Sequence, residues 1–97
     1  MTYRRKLDTQ HTAIVNGLRA CGYFVADTNR AGFGIPDLFV LSKSGRLAAV
    51  EIKTPGEKLN DNERIWWGEF IDAGGHGMIV FSLQQALDYM AQLDCES

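Results

Sequence analysis

Along the chain the apolar positions recur with two periods, one helical and one extended. Leu7, His11, Ile14, Val15, Leu18 and Cys21 share one helical face, and Gly22 stands where such a helix stops. The spacing therefore predicts a first helix from Leu7 to Cys21. "YFVAD" then reads as a strand, and "TNRAGFG" as a glycine-bearing loop able to approach another group closely. Pro36 has no N–H and suits the first position of the next strand, "DLFVL"; "SKSG" is a turn, and "LAAVEIK" is a third strand. A hairpin thus joins Asp37 to Glu51.

Asn60 followed by Glu63 has the form of a capping box, opening a helix that carries Ile65, Trp66, Trp67, Phe70 and Ile71. "AGGHG" ends that helix, with His76 read as a turn residue. "MIVFS" is a fourth strand, apolar enough to be buried on both faces. Ser82 and Gln85 repeat the capping pattern, and Leu83, Ala86, Leu87, Met90 and Leu93 form the stripe of a last helix. The predicted order is α-β-β-β-α-β-α, an α/β fold in one domain spanning residues 1–97.

Composition narrows what such a domain can do. Apolar residues at 45% and charged residues at 23% are ordinary globular values, which excludes a disordered chain. The longest apolar runs are too short to span a membrane, and "MTYRRKLDTQ" lacks the apolar segment of a signal peptide, so a cytoplasmic protein with no membrane partner is expected. Cys21, Cys95, His11 and His76 have no zinc-ligand spacing, and reduced thiols are the expected state. A net charge of −2 argues against a simple DNA-coating protein. Positive charge is local, and Arg4, Arg5, Arg30 and Lys58 are the candidates for contact with a nucleic-acid backbone; for each alone, solvated surface is the competing reading.

The chemistry concentrates in "GIPDLFVLSKSGRLAAVEIKTPG". Side chains alternate along a strand, so Glu51 and Lys53 point to one side while Val50 and Ile52 point to the other. With a turn near Ser44 and Gly45, Asp37 falls at the same end as Glu51, and two carboxylates and a lysine meet at one spot. Two carboxylate oxygens plus the Ile52 carbonyl form the oxygen-rich partial shell that Mg²⁺ or Mn²⁺ prefers. A cation held there acidifies a water and neutralises the charge that develops as a phosphodiester breaks. Lys53 beside that water would orient it, contact the phosphate or help transfer a proton, and the pattern does not choose among these. The competing reading is that Asp37 caps a turn while Glu51 and Lys53 form a solvated ion pair.

"GFGIPDLFVL", "AAVEIK", "KLNDNERIWW" and "GGHGMIVFSLQQAL" resemble the PD-(D/E)XK nuclease superfamily, and within it the virus-type replication-repair nuclease (VRR-NUC) domain in its small standalone phage and bacterial form. The most specific part is G-x-PD-L with E-x-K fourteen positions after the aspartate. The resemblance implies a restriction-endonuclease-like core, a mixed β-sheet flanked by helices. It also implies divalent-metal-dependent cleavage of DNA and a homodimer similar to Holliday junction resolvases. By that likeness Asp37 and Glu51 are the metal ligands and Lys53 the catalytic lysine. Relatives often bring a residue from the first helix to the site, for which Asp8, Gln10 and His11 are the candidates here, and a polar residue from the next helix, whose place Glu63 holds. Glu63 either completes its capping box or reaches the site.

Trp66 and Trp67 point about 100° apart on a helix and cannot both enter one core layer. The favoured reading places one in the core and the other at a dimer interface; stacking on an unpaired base is the alternative. Arg30, with Gly32 and Gly34, belongs either to a loop that closes on the DNA backbone or to a plain connector. The expected activity is hydrolysis of phosphodiesters in branched DNA by a metal-dependent homodimeric endonuclease, with a role in DNA repair or recombination. Two rivals are a catalytically inactive nuclease fold that binds DNA or assembles complexes, and a sequence-specific restriction enzyme.

Overall fold

The computed structural model describes the backbone of residues 2–96 and the side chains of residues 9–96. Seven elements follow in the predicted order: α1 (Thr2–Ala20), β1 (Phe24–Asp27), β2 (Leu38–Leu41), β3 (Leu47–Ile52), α2 (Asp61–Asp72), β4 (His76–Val80) and α3 (Leu83–Asp94). The first helix is longer than its apolar spacing indicated, beginning at Thr2. Cys21, assigned to its buried face, instead lies exposed just beyond its end.

The strands form one mixed sheet in the order β1-β2-β3-β4, antiparallel except for the parallel β3–β4 pair. A parallel pair needs a crossover, and α2 supplies it. One sheet face presents Val25, Leu38, Val40, Ala48, Val50 and Val80 to Ile14, Val15 and Leu18 of α1 and Ala86, Met90 and Leu93 of α3. These side chains form the core, so the amphipathic stripes predicted for the first and last helices are the ones that pack.

The other face, carrying Ala49 and Glu51 of β3 and Lys53 just beyond it, is covered by α2, whose rings reach from Phe39 of β2 to Gly77 of β4. Trp67 is buried, and its ring closes on Gly77 of β4. Trp66 is half-buried, stacked on Phe70 and edge-on to Phe39. The two rings divide as their angular separation requires, one inward and one lateral. The capping box at the start of α2 is complete: Asn60 Oδ1 accepts from Glu63 N–H and Glu63 Oε1 from Asn60 N–H.

Two expectations for the fourth strand are corrected. The strand begins at His76, which pairs with Ala48, so that histidine is not a turn residue. Nor is the strand buried on both faces: β4 is an edge of the sheet, and Met78 is 37% exposed. An apolar run of this length suits a doubly covered strand, but Met78 shares the α1/α3 face with Val80 and lies at the sheet edge, where that helix layer leaves it partly open. At the start of α3, Ser82 caps as predicted, while Gln85 accepts from Phe81 N–H instead of closing a reciprocal box.

The β2–β3 turn is tied to the end of α3. Ser44 donates to the Leu93 carbonyl, Asp94 accepts from Lys43 N–H, and Tyr23 donates to the same carboxylate. The far end of the hairpin, carrying Asp37 and Glu51, lies at the floor of an open cleft. Among the described residues no helix is long and apolar enough to cross a membrane.

The Trp67–Gly77 contact gives a test of the fold. A methyl group at Gly77 would run into the Trp67 ring and come within 2.8 Å of the Ala49 carbonyl oxygen. Gly77→Ala is expected to cost about 1–3 kcal/mol, as overpacking does. Chemical denaturation should show this as a lowered midpoint with an unchanged slope.

Candidate active site

The antiparallel register pairs Leu38 with Val50, which sets Asp37 one step beyond β2 and opposite Glu51. Asp37 is fastened there by its own carboxylate, whose Oδ2 accepts from the Ile52 N–H at 2.8 Å. Peptide groups alternate in direction along a strand. Because Lys53 N–H is given to Val80 of β4, the Ile52 N–H and C=O face the opposite side, toward Asp37. Asp37, Glu51 and the Ile52 carbonyl therefore gather where β2 stops short and β3 continues.

Glu51 and Lys53 are both buried, at 3% and 7% exposure. This rules out the solvated ion pair considered from the sequence. Lys53 Nζ donates to Glu63 Oε1 at 2.8 Å, and lies 3.5 Å from Glu51 Oε2 and 3.7 Å from Glu57 Oε2. The two readings of Glu63 prove to be compatible, since the oxygen that closes the capping box also accepts from Lys53. One ammonium thus faces several carboxylates. Glu51 Oε1 is buried without a hydrogen-bond partner.

The electrostatics follow from that arrangement. Burial, then the charges of Asp37 and Glu63, push the Glu51 carboxyl up to about 8, with Lys53 opposing. Burial also raises Asp37, against the Ile52 N–H and the nearby cationic groups. Glu63 goes the other way: burial is outweighed by the hydrogen bonds from Lys53 and the Asn60 N–H, which hold it below the usual carboxylate range. Lys53 is raised because its hydrogen bond to Glu63 and the surrounding carboxylates overcome its burial.

These groups floor an open cleft of about 820 Å³. Gln10 and His11 of α1 and Asn29 and Arg30 of the loop after β1 form its rim. Gln10 is committed in part to the fold, donating to the Phe81 carbonyl. Arg30 is exposed at the rim, whereas Lys58 is exposed but does not line the cleft. The side chains of Arg4, Arg5 and Asp8 lie outside the described residues.

Three contributors went unnoticed in the sequence. Glu57 returns to Lys53 through the turn after β3, its Oε1 accepting from Thr54 N–H and Oγ1–H; the i,i+4 spacing was its only signal. Asp27 lies 3.0 Å from His11 Nε2, a pairing of helix with strand that no local pattern reveals. Asn29 sits two residues further on, donating its N–H to Asp27.

Among the described residues no three acidic, histidine or cysteine side chains form a metal cage. What the site offers instead is two carboxylates and a carbonyl of hard-oxygen character, one carboxylate oxygen being buried and unpartnered. That donor set fits Mg²⁺ or Mn²⁺, which bind through one or two carboxylates and otherwise retain water and phosphate oxygens.

The raised Glu51 has a consequence for stability in the absence of divalent cations. Between its ordinary 4.5 and about 8 the folded state holds a proton that the unfolded state has lost, so stability falls as pH rises through that window. Urea denaturation in a chelator should show a decline on the order of 2–4 kcal/mol from pH 5 to pH 8. Glu51→Gln should flatten it and exceed the wild type in stability at pH 8.

No curated protein and no solved structure matches the chain significantly. A family model does, over residues 5–84, which takes in most of α1, β1 and the loop after it, the Asp37–Lys53 hairpin, α2 and β4. On that match the chain belongs to the VRR-NUC domain family, a family of nucleases.

Proposed function

We propose that the chain is a divalent-metal-dependent endodeoxyribonuclease that hydrolyses phosphodiesters in branched DNA, working as a homodimer in the cytoplasm. The observation that carries the reading is Glu51: a buried carboxylate with one oxygen unpartnered, next to Asp37 and only partly balanced by Lys53. Such a group is costly unless a positive partner completes it. Asp37, Glu51 and the Ile52 carbonyl would hold the cation. When bound, it would supply Lewis-acid neutralisation of the phosphodiester and a more acidic water.

The chain's own residues account for the rest. Asp37 and Glu63 are held by backbone N–H groups, so the acids that flank Lys53 are placed before substrate arrives. Lys53, shared among several carboxylates, keeps its charge and projects an ammonium where a phosphate oxygen would lie. Arg30 on the rim suits a second contact with the backbone. The openness of the cleft accommodates a duplex branch better than an extruded base. Support for the dimer comes from the sheet, whose register lines up the exposed side chains of Phe24, Leu41 and Leu47 in one row. Exposed, unpaired Cys21 and Cys95 suit a reducing compartment.

Branched and linear DNA incubated with and without Mg²⁺ or Mn²⁺ tests the reading. Branched DNA should be cut in the presence of metal, and Lys53→Ala should lose about 10²-fold or more in rate. Calorimetric titration with Mn²⁺ should show binding that Asp37→Asn abolishes. Absence of metal-dependent cleavage by the wild type, or cleavage by Lys53→Ala at the wild-type rate, would refute it.

A further inference from the structure

The loop after β1 carries the most exposed large apolar side chain described: Phe33, at 87% exposure. Its backbone is more unusual than its exposure. Ile35 N–H donates to the Gly32 carbonyl at 3.1 Å, closing a turn whose two central residues, Phe33 and Gly34, have φ of 57° and 79°. Positive φ at both central positions is the pattern of a type I′ turn, where Asn, Asp or Gly ordinarily stands first. A phenylalanine there is strained by its own Cβ. No packing in the fold compensates it, because the ring projects into solvent.

The turn is nevertheless held firmly, and it abuts the end of α2 that carries Glu63. Thr28 N–H donates to the Asp37 carbonyl at 2.8 Å and Thr28 Oγ1 to the Pro36 carbonyl at 2.6 Å, cinching the base of the loop. Ala31 N–H donates to the Thr28 carbonyl. Gly34 passes so close to the start of α2 that a Cβ there would collide with the Asn62 carbonyl and lie 2.8 Å from the Glu63 nitrogen. Phe33 is thus the tip of a braced turn lying between Arg30 of the rim and the helix end that carries Glu63, four residues before Asp37.

Strain held by surrounding structure at the edge of a site indicates a side chain that is wanted in that position. We infer that Phe33 is a stacking residue: its ring takes the face of an unpaired base next to the phosphate held in the cleft, and so favours DNA with unpaired bases over continuous duplex. The inference rests on the nucleic-acid reading of the site. A flat, solvated aromatic ring is the sequence-tolerant platform used for single-stranded bases, and an arginine beside it supplies the backbone contact. A protein partner would also cover an exposed ring. A lone ring on a narrow turn next to the cleft favours a base, because a protein interface calls for a broader apolar surround.

The test is DNA binding measured in a chelator, so that it does not depend on chemistry. The probes are a labelled duplex with a short single-stranded gap and the same sequence fully paired. Phe33→Ala should weaken binding to the gapped probe about fivefold or more while changing the paired probe less than about twofold, and Phe33→Trp should restore the preference. Phe33→Gly should show the same loss of preference with a melting temperature a few degrees higher, since glycine relieves the strain.

Equal affinity of Phe33→Ala and wild type for the gapped probe would overturn the inference, as would an equal loss on both probes. So would a shift of Phe33→Ala toward monomer in sedimentation with gapped-probe affinity intact, which would make the ring a contact between copies. A wild type that cleaves DNA but whose gap preference ignores Phe33 sinks this inference alone. One that binds gapped DNA through Phe33 but never cleaves sinks the nuclease reading alone, and one that binds neither probe sinks this inference, the nuclease reading being decided by metal-dependent cleavage.

Discussion

Glu51 of β3 and Lys53, the residue after that strand's end, lie two residues apart, and both are removed from water beneath the start of α2. Taking a carboxylate and an ammonium into the interior costs several kcal/mol per ion, and their mutual attraction seldom returns a net gain in stability. At 3.5 Å their contact is looser than the bond Lys53 makes to Glu63. The pair is therefore not explained as a fastening of the fold. It constrains the fold instead: every nearby element must supply a polar group to make the burial tolerable.

The neighbouring elements meet that demand. The Ile52 N–H anchors Asp37, the N-terminal cap of α2 orients Glu63 onto Lys53, and the turn after β3 returns Glu57 to the same ammonium. Each anchor is a backbone group or a local turn, so the acids are positioned by elements that also build the sheet and its crossover. The hydrogen bonds of the Lys43–Ser44 turn to α3 secure the hairpin from its other end. A shift of one residue in the β2–β3 register would turn Glu51 and Lys53 into the apolar core, which makes the hydrophobic face of β3 the guardian of the site's geometry.

This division explains what could be read in advance. The two-residue period of "LAAVEIK" and the turn at Ser44 and Gly45 are local, and together they determine that Asp37, Glu51 and Lys53 meet. The helices were legible for the same reason, from apolar spacing and from Asn60 and Ser82 as caps. The burial of the charged face was not, because it depends on how far α2 reaches across the sheet. Likewise the edge position of β4 depends on strand order, and the His11–Asp27 pair joins α1 to β1 across the cleft rim. Phe33 escaped notice because a single aromatic in a glycine-rich loop acquires meaning only from its positive φ.

Three features of the chain run against its own stability: a buried carboxyl group with an unpartnered oxygen, a phenylalanine in a glycine conformation, and a row of exposed apolar side chains running across β1, β2 and β3. Elsewhere, the buried and unpartnered Trp67 indole N–H aside, the local and tertiary preferences agree, with caps in place, apolar stripes packed and the core enclosed between the sheet and two helices. Where a sequence otherwise consistent with its fold breaks a rule, an interaction outside the fold is the economical explanation. The three departures also differ in chemistry. A buried carboxyl group with an unpartnered oxygen fits a cation that would displace its proton, an exposed ring a flat π-face, and a row of aliphatic and aromatic side chains on a sheet another protein surface. The proposed metal, nucleic acid and second subunit differ in chemistry in the same way, one answering to each departure.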